Sequence, residues 1–329
     1  MIRDGLIDSP TTSIAMATYN GARFLTEQLE SFLRQTRLPD ELVACDDGST
    51  DATLDILEAF SMRAPFTVRI VRNPRNLGFT ANFSQAIALC HCDLVFLADQ
   101  DDVWFPDKVE TLVQKFVDLP RSLILVHDGR LVDEAREWSG ATKLGQIRAG
   151  WRSEAPLVAG ALSAMRRELG PLVLPVPHGV IGHDVWIHLL ARHLGLRSVV
   201  DIPLQDIRRH GDNTSEWVAA SVQRINWLTV FRRNAETSPA SSYADRIHIN
   251  DAVRERLVRI RAMRSVWVDE ACLDRADAYF GAERVALEHR TRMLARGPLG
   301  RRLAAAGMLA RGDYRHFNGF NSFLRDLRR

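Results

Sequence analysis

Apolar runs and amphipathic stretches take turns through the first 130 residues. "SIAMAT" (13–18) reads as a buried strand, and "GARFLTEQLESFLRQT" then puts Phe24, Leu25, Leu29, Phe32 and Leu33 on one helical stripe. The alternation continues. "ELVACD" (41–46), "FTVRIVR" (66–72), "DLVFLAD" (93–99) and "SLILVH" (122–127) are strand-like. Between them, "STDATLDILEAF" opens with capping residues, "FTANFSQAIALC" is helical, and "FPDKVETLVQKF" carries Pro106 in its first turn. Strand and helix repeating in this way predict βαβ units and a mostly parallel, Rossmann-like sheet flanked by helices.

Such a sheet binds ligands at the carboxyl ends of its strands. The polar clusters fall there: "TYN" after the first strand, "DDGSTD" after the second, "NPRNLG" after the third and "DQDD" after the fourth. This placement is the strongest functional signal that the residues give. Beyond it the pattern is less regular. Residues 129–155 read as loops and short strands, and "PLVAGALSAMRREL" (156–169) as a strand leading into a helix. "HDVWIHLLARHLG" (183–195) reads as a helix ending at Gly195. "RSVVDIPLQDIRRHG" reads as two short strands broken near Pro203. From 217 onward the pattern is helical, with "INWLTVFRRNA", "DAVRERLVRIRAMRSVW" and "ERVALEHRTRMLAR".

The chemistry narrows at 99–102, where an apolar run ends in Asp99, Gln100, Asp101 and Asp102. Carboxylates so close repel one another and need water or a cation. Mg²⁺ or Mn²⁺ takes hard oxygen ligands of this kind, together with phosphate oxygens. A solvated turn with a helix cap is the bland alternative, and for Asp102 alone, capping the Pro106 helix is as good a reading as touching a bound substrate. Asp51 and Ser49 read as ordinary N-capping residues, and Asn82 as a structural pin on the preceding loop. Lys108 has two readings, a contact to a diphosphate or a solvated helix face. Trp186 reads as core. "HDG" at 127–129 is a weak candidate for the acceptor side.

Composition removes other classes. A net charge of +2 points neither to nucleic acid nor to an acidic partner. Lysine occurs only at 108, 115 and 143; the preference for arginine reads as a genome-composition bias. "CHC" at 90–92 lacks zinc-site spacing, so Cys45, Cys90, Cys92 and Cys272 read as buried free thiols suited to a reducing cytoplasm. "LVAGALSAM" is about half the length that crosses a bilayer.

With these motifs in place, the chain resembles the family 2 glycosyltransferases of GT-A fold, most of all their bacterial rhamnosyltransferase-like branch. The resemblance rests on "ATYNGARFLTEQLESFLRQT", "DDGSTDAT", "RNLGFTANFSQAI", "LADQDDVWFPDKV", "HDVW" and "RRHGDNTS", in the family's order over roughly residues 12–217. It implies an inverting, metal-dependent transferase using dTDP-L-rhamnose as the first guess and a UDP-hexose as the second. The family's D-x-D pattern maps onto Asp99-Gln100-Asp101, with Asp101 the direct metal ligand and Asp99 turned toward the ribose. Thr18, Tyr19 and Asn20 would pack the base. Asp46 or Asp47, the second slightly preferred, would accept its N–H, and Arg75, Asn76 or Gly78 would approach base and ribose. Asp184 would be the catalytic base, with His183 orienting it or touching the acceptor. His210 would be a third metal ligand or a phosphate donor, beside Arg208 and Arg209 as phosphate neutralisers.

On this reading residues 1–216 form the GT-A domain, its nucleotide half about 10–128 and its acceptor half about 129–216, and 217–329 form a helical extension. From Arg284 that extension holds eleven arginines against Glu288, Asp313 and Asp326. This suits an anionic membrane surface near a lipid-linked oligosaccharide or other glycan acceptor, or equally a solvated helix face. The expected site of action is cytoplasmic, peripheral to the membrane. Two competing classes are a sugar-phosphate nucleotidyltransferase, for which "MATYNGARFL" lacks the glycine-rich basic loop, and an inactive glycan-binding or assembly subunit.

Overall fold

The structure, a computed structural model, describes residues 10–150, 157–180, 182–211 and 239–328. "INWLTVFRRNA" and the last residues of "RRHGDNTS" lie outside the described residues. The described parts of Met1–Val176 and Ile181–Ala235 form one compact unit, and those of Pro177–Val180 and Glu236–Arg329 a second.

The first unit begins with the expected alternation: β1 (Thr12–Thr18), α1 (Ala22–Leu33), β2 (Glu41–Asp46), α2 (Thr53–Ser61), β3 (Thr67–Arg72), α3 (Phe79–Leu89) and β4 (Leu94–Ala98). There follow β5 (Val103–Trp104), α4 (Lys108–Asp118), β6 (Ile124–Val132), β7 (Trp138–Thr142), α5 (Lys143–Gly150), β8 (Ser163–Arg166), α6 (Gly170–Val173), α7 (His183–His193) and β9 (Arg197–Arg208). They build one sheet in the order β3-β2-β1-β4-β8-β6-β9-β5, with β7 paired to β6. The strands β1 to β4 are parallel; β8 runs antiparallel between β4 and β6, and β6 and β9 are again parallel.

Each strand's period of two divides its side chains between two cores. Ile14, Met16, Leu42, Ala44 and Phe96 pack with Leu25, Leu29 and Phe32 of α1, Leu57 and Phe60 of α2, and Val109, Leu112 and Phe116 of α4. The alternate residues Ala15, Val43 and Cys45 are equally buried, on the face covered by α3. A smaller cluster of Val126, Leu144, Ile147, Leu157 and Leu162 holds α5 to the antiparallel half. Cys45, Cys90 and Cys272 are buried free thiols and Cys92 is partly so.

Three local expectations change. Residues 197–208 form one strand, not two; the irregularity around Pro203 survives as a register shift against His127 and Asp128 of β6. Proline has no N–H to give a ladder, and a shift accommodates it without ending the strand. Residues 143–150 form a helix where loops were expected. Within 156–169 the strand is confined to Ser163–Arg166, bracketed by single 3₁₀ turns.

The second unit is helical: α8 (Pro239–Met263), α9 (Glu270–Leu294), α10 (Pro298–Ala310) and α11 (Phe320–Arg328). Met293, Ala305, Met308 and Tyr314 make its core. Arg290 is buried there, paired with the fully buried Asp326 at 3.0 Å and lying 4.4 Å from the centre of the Phe317 ring. Tyr314 donates to the other oxygen of Asp326.

Candidate active site

The loops after β1 and β2 are laced together at the carboxyl rim. Asn20, at φ 47°, accepts from Thr50 N through its side chain and donates its own N–H to Ser49 Oγ. Asp51 accepts from Thr53 N and from Ala22 N. Burial opposes ionisation of Asp51, yet these bonds outweigh it and hold its carboxyl below the usual range. Gln100 spends its amide on Tyr19: Oε1 accepts from Tyr19 N at 2.9 Å and Nε2 donates to Tyr19 O at 3.1 Å. A Cβ on Gly21 would stand 2.2 Å from that Oε1, so only glycine leaves Gln100 room. The Tyr19 ring, held by its backbone, stays 48% exposed.

Asp46 and Asp47 end β2 inside the rim, both buried. Asp46 accepts from Thr18 Oγ1, Gly48 N, Ser49 N and Ser49 Oγ. Asp47 accepts from Asn73 Nδ2, Leu77 N and Gly78 N. It thereby anchors the "NPRNLG" loop. Asn82 completes the anchor as expected, donating to Cys45 O and accepting from Asn73. Arg75 and Asn76 are exposed on this loop, and Asn76 Oδ1 accepts from Gly78 N.

Beyond β4 lie Asp99, Asp101 and Asp102, each with one carboxylate oxygen within 4.8 Å of the others. His210, arriving from β9, places Nε2 2.8 Å from Asp101 Oδ2 and its ring 4.7 Å from that of Phe24. Asp99 is not sealed from water. Enough protein surrounds it, however, that desolvation comes first, followed by the charges of Asp101 and Asp184, and its carboxyl is pushed up to about 7. Asp102 is held well above the carboxylate range for the same first reason, with Asp101 and Asp99 adding to it. Asp102 does not cap the Pro106 helix. It accepts from Gln205 Nε2 at 2.6 Å and from Arg208 N at 3.2 Å, while α4 has no side-chain cap.

Lys108 is the correction on the other side of Gln205. Its side chain is fully buried, not on a solvated face, with Nζ donating to Gln205 Oε1 and Ala161 O and sitting 3.7 Å over the Trp104 ring. Burial pulls its pKa well down, and Asp102 and Asp99 partly restore it. Arg208 is likewise occupied: it bonds Glu27, Asp101 O and Glu134 O and stacks over Phe24. Arg209 lies close enough to Asp101 and Asp102 to feel both charges.

Asp184 begins α7, half-buried, with Oδ1 on Val185 N. Its charge is felt at Asp99, after burial and Asp101, so the start of α7 lies near the acidic cluster. His183 is buried: it stacks on Phe83 at 4.1 Å, and neither ring nitrogen has a partner. A Cβ on Gly160 would stand 2.5 Å from its Nε2. Trp186 is core, as read, donating to Val173 O. His127 and Asp128 are also interior, so "HDG" does not frame a ligand surface. Sequence reasoning passed over Lys143, which is buried near Asp184, Asp102 and Arg209. Burial first, then Arg209, lowers its pKa to about 8. The available signal was rarity: two of the three lysines in an arginine-rich chain are buried beside this cluster. A lysine can shed its charge when buried, which arginine cannot.

The donor set fits a divalent cation. Three hard oxygens converge within one coordination sphere's width and repel one another, and an imidazole nitrogen adjoins them.

The chain is similar to several known proteins. The Shigella flexneri dTDP-rhamnosyl transferase RfbG is 35% identical over 31% of this chain and 37% of its own. The uncharacterized protein Rv1520 of Mycobacterium tuberculosis is 31% identical over 72% of this chain and 68% of its own. Several curated relatives are spanned over only 32% to 49% of their length. Staphylococcus aureus TarS residues 1–349, solved with UDP, superposes with a TM-score of 0.54 at 16% identity, covering 91% of this chain and 79% of that one. This likeness establishes the fold as GT-A. The description "Glycosyl transferase family 2" matches residues 13–169, and with the rim motifs, the acidic cluster and the fold in agreement, the chain belongs to glycosyl transferase family 2.

Proposed function

We propose that the first unit is an inverting glycosyltransferase, a GT-A domain of about residues 1–216 that moves a sugar from a nucleotide diphosphate to a glycan. The observation that carries this is the convergence of Asp99, Asp101 and Asp102 at the carboxyl rim, with Asp184 near enough for its charge to reach Asp99. Asp101, Asp99 and His210 would hold Mg²⁺ or Mn²⁺, which when bound neutralises charge developing on the departing diphosphate. Asp184 takes the proton of the acceptor hydroxyl as that oxygen bonds to C1. The bond from C1 to the diphosphate oxygen breaks with its electron pair leaving on the nucleotide, and the configuration at C1 inverts. Arg209 and Lys143 supply positive charge beside the cluster, while Arg208 holds its backbone in place.

For the base, a carboxylate offers about four acceptor positions. Asp46 already receives four donors and Asp47 three. We therefore assign Asp47 to the pyrimidine N–H. Tyr19 and Thr18 pack the ring, and Arg75, Asn76 and Gly78 lie on the loop that Asp47 anchors. His183, buried under the base helix, acts through the position of Asp184. The donor is first dTDP-L-rhamnose, in keeping with RfbG, and second a UDP-sugar, such as TarS binds in its complexes. The acceptor is a surface glycan or its lipid-linked precursor, reached from the cytoplasmic side; no helix among the described residues is long and apolar enough to cross a membrane.

Hydrolysis of a panel of nucleotide sugars with Mg²⁺ and Mn²⁺ tests this. One donor should be turned over only with metal. Asp101→Ala should abolish metal-dependent donor binding, and Asp184→Ala should keep binding but lose transfer. Normal transfer by Asp184→Ala would remove it as the base.

A further inference from the structure

The second unit carries charge and apolar surface in an arrangement that catalysis does not use. In α10 the buried positions are Ala305 and Met308. Helical geometry then turns Leu299 and Leu303 to the opposite side, where they are 74% and 68% exposed. The neighbouring α11 buries Ser322 and Asp326 and leaves Phe320 60% and Leu324 39% exposed, one turn apart. The two helices pack on each other through Ala304, Phe323 and Leu327. Each has one stripe in the core and a second apolar stripe facing out, which a solvated helix does not need.

Charge decides what covers these stripes. Beyond Glu288 the only acids are Asp313 and Asp326. Both are buried and already paired, Asp313 with His289 and Arg311, Asp326 with Arg290. Arg296 and Arg302 are exposed with no carboxylate partner among the described residues. Protruding leucine and phenylalanine on a stretch, residues 289–328, that exposes arginine and no carboxylate complement an anionic bilayer interface. There apolar side chains enter the acyl boundary and guanidinium groups meet headgroup phosphates. We propose that α10 and α11 form the surface by which this chain docks on an anionic membrane. The inference deepens the proposal of a lipid-linked acceptor and has its own physical basis.

The full chain is sedimented with vesicles of phosphatidylcholine alone and of phosphatidylcholine with about one-third phosphatidylglycerol, at low and high salt. Binding to the anionic vesicles only, weakened by salt, is expected. The double variant Leu299→Glu/Leu303→Glu should lose it at least tenfold. Arg296→Glu and Arg302→Glu should each weaken it about fivefold. Equal binding to both vesicle types, or no loss in the variants, overturns the proposal. So does the absence of vesicle binding together with a dimer that Leu303→Glu dissociates, since the face then joins two copies. Thermal melts confirm that each variant is folded. Donor hydrolysis by the same variants reports on the catalytic reading separately: docking can fail while hydrolysis stands, or the reverse.

Discussion

Asp46–Asp47 and Asp99–Asp102 stand at the ends of two strands of one sheet and look alike in sequence, but they meet opposite surroundings. The first pair is engaged by backbone amides, hydroxyls and an amide side chain of the adjoining loops, with four donors on Asp46 and three on Asp47. The second group is placed against itself. Asp101 meets His210, Asp102 meets Gln205 and one backbone amide, and burial first, then the charges of Asp101 and Asp184, raises Asp99. Carboxylates supplied with several donors organise a loop; carboxylates gathered against one another suit a cation. Within one rim, the fold uses the first cluster mainly for its loops and, on the function proposed, keeps the second for the metal.

Substitutions separate the two uses, from the largest effect to the smallest. Asp184→Asn should lower sugar transfer by about two to four orders of magnitude at unchanged donor affinity, read by single-turnover kinetics and calorimetry. Asp101→Asn should lower metal-dependent donor hydrolysis by at least ~100-fold. Because it also removes repulsion, it should leave the metal-free melting temperature unchanged or higher. Asp46→Asn should do the reverse, costing roughly 1–3 kcal/mol of stability through donors left unmet. A melting temperature that falls with Asp101→Asn and holds with Asp46→Asn would dissolve the contrast.

Lys108→Met keeps the buried volume and removes the amine that donates to Gln205. Metal-dependent donor affinity should fall about tenfold with little change in fold, as measured by titration with Mn²⁺ present and absent. A separate effect concerns pH. Lys143 has a folded pKa of about 8 against an ordinary 10.5, so between these values the unfolded chain binds the extra proton. Its contribution is unfavourable below pH 8 and fades as pH rises to 10.5, so stability gains up to about 3 kcal/mol across that window. Denaturation at several pH values should show this slope in the parent and not in Lys143→Met.

What could be read ahead of the structure follows the range of the interactions. The βαβ half was legible because hydrophobic periodicity is local: Phe24, Leu25, Leu29 and Phe32 announce a helix whatever they pack against. The acidic cluster was legible too, since three carboxylates within four residues state their own repulsion. The antiparallel half was harder. That β8 slips between β4 and β6, and that residues 197–208 remain one strand past Pro203, depend on pairing between segments far apart in the chain.

The sequence by itself determined the α/β class, the family, the rim that carries the polar clusters and the residue types gathered there. Only the tertiary structure decided how each side chain is employed: that Gln100 secures Tyr19, that Lys108 and His183 lie inside, and that Lys143 joins the site. The reason is physical. A residue's chemistry is its own, but its desolvation and its hydrogen-bond partners are supplied by segments that the chain brings together only on folding.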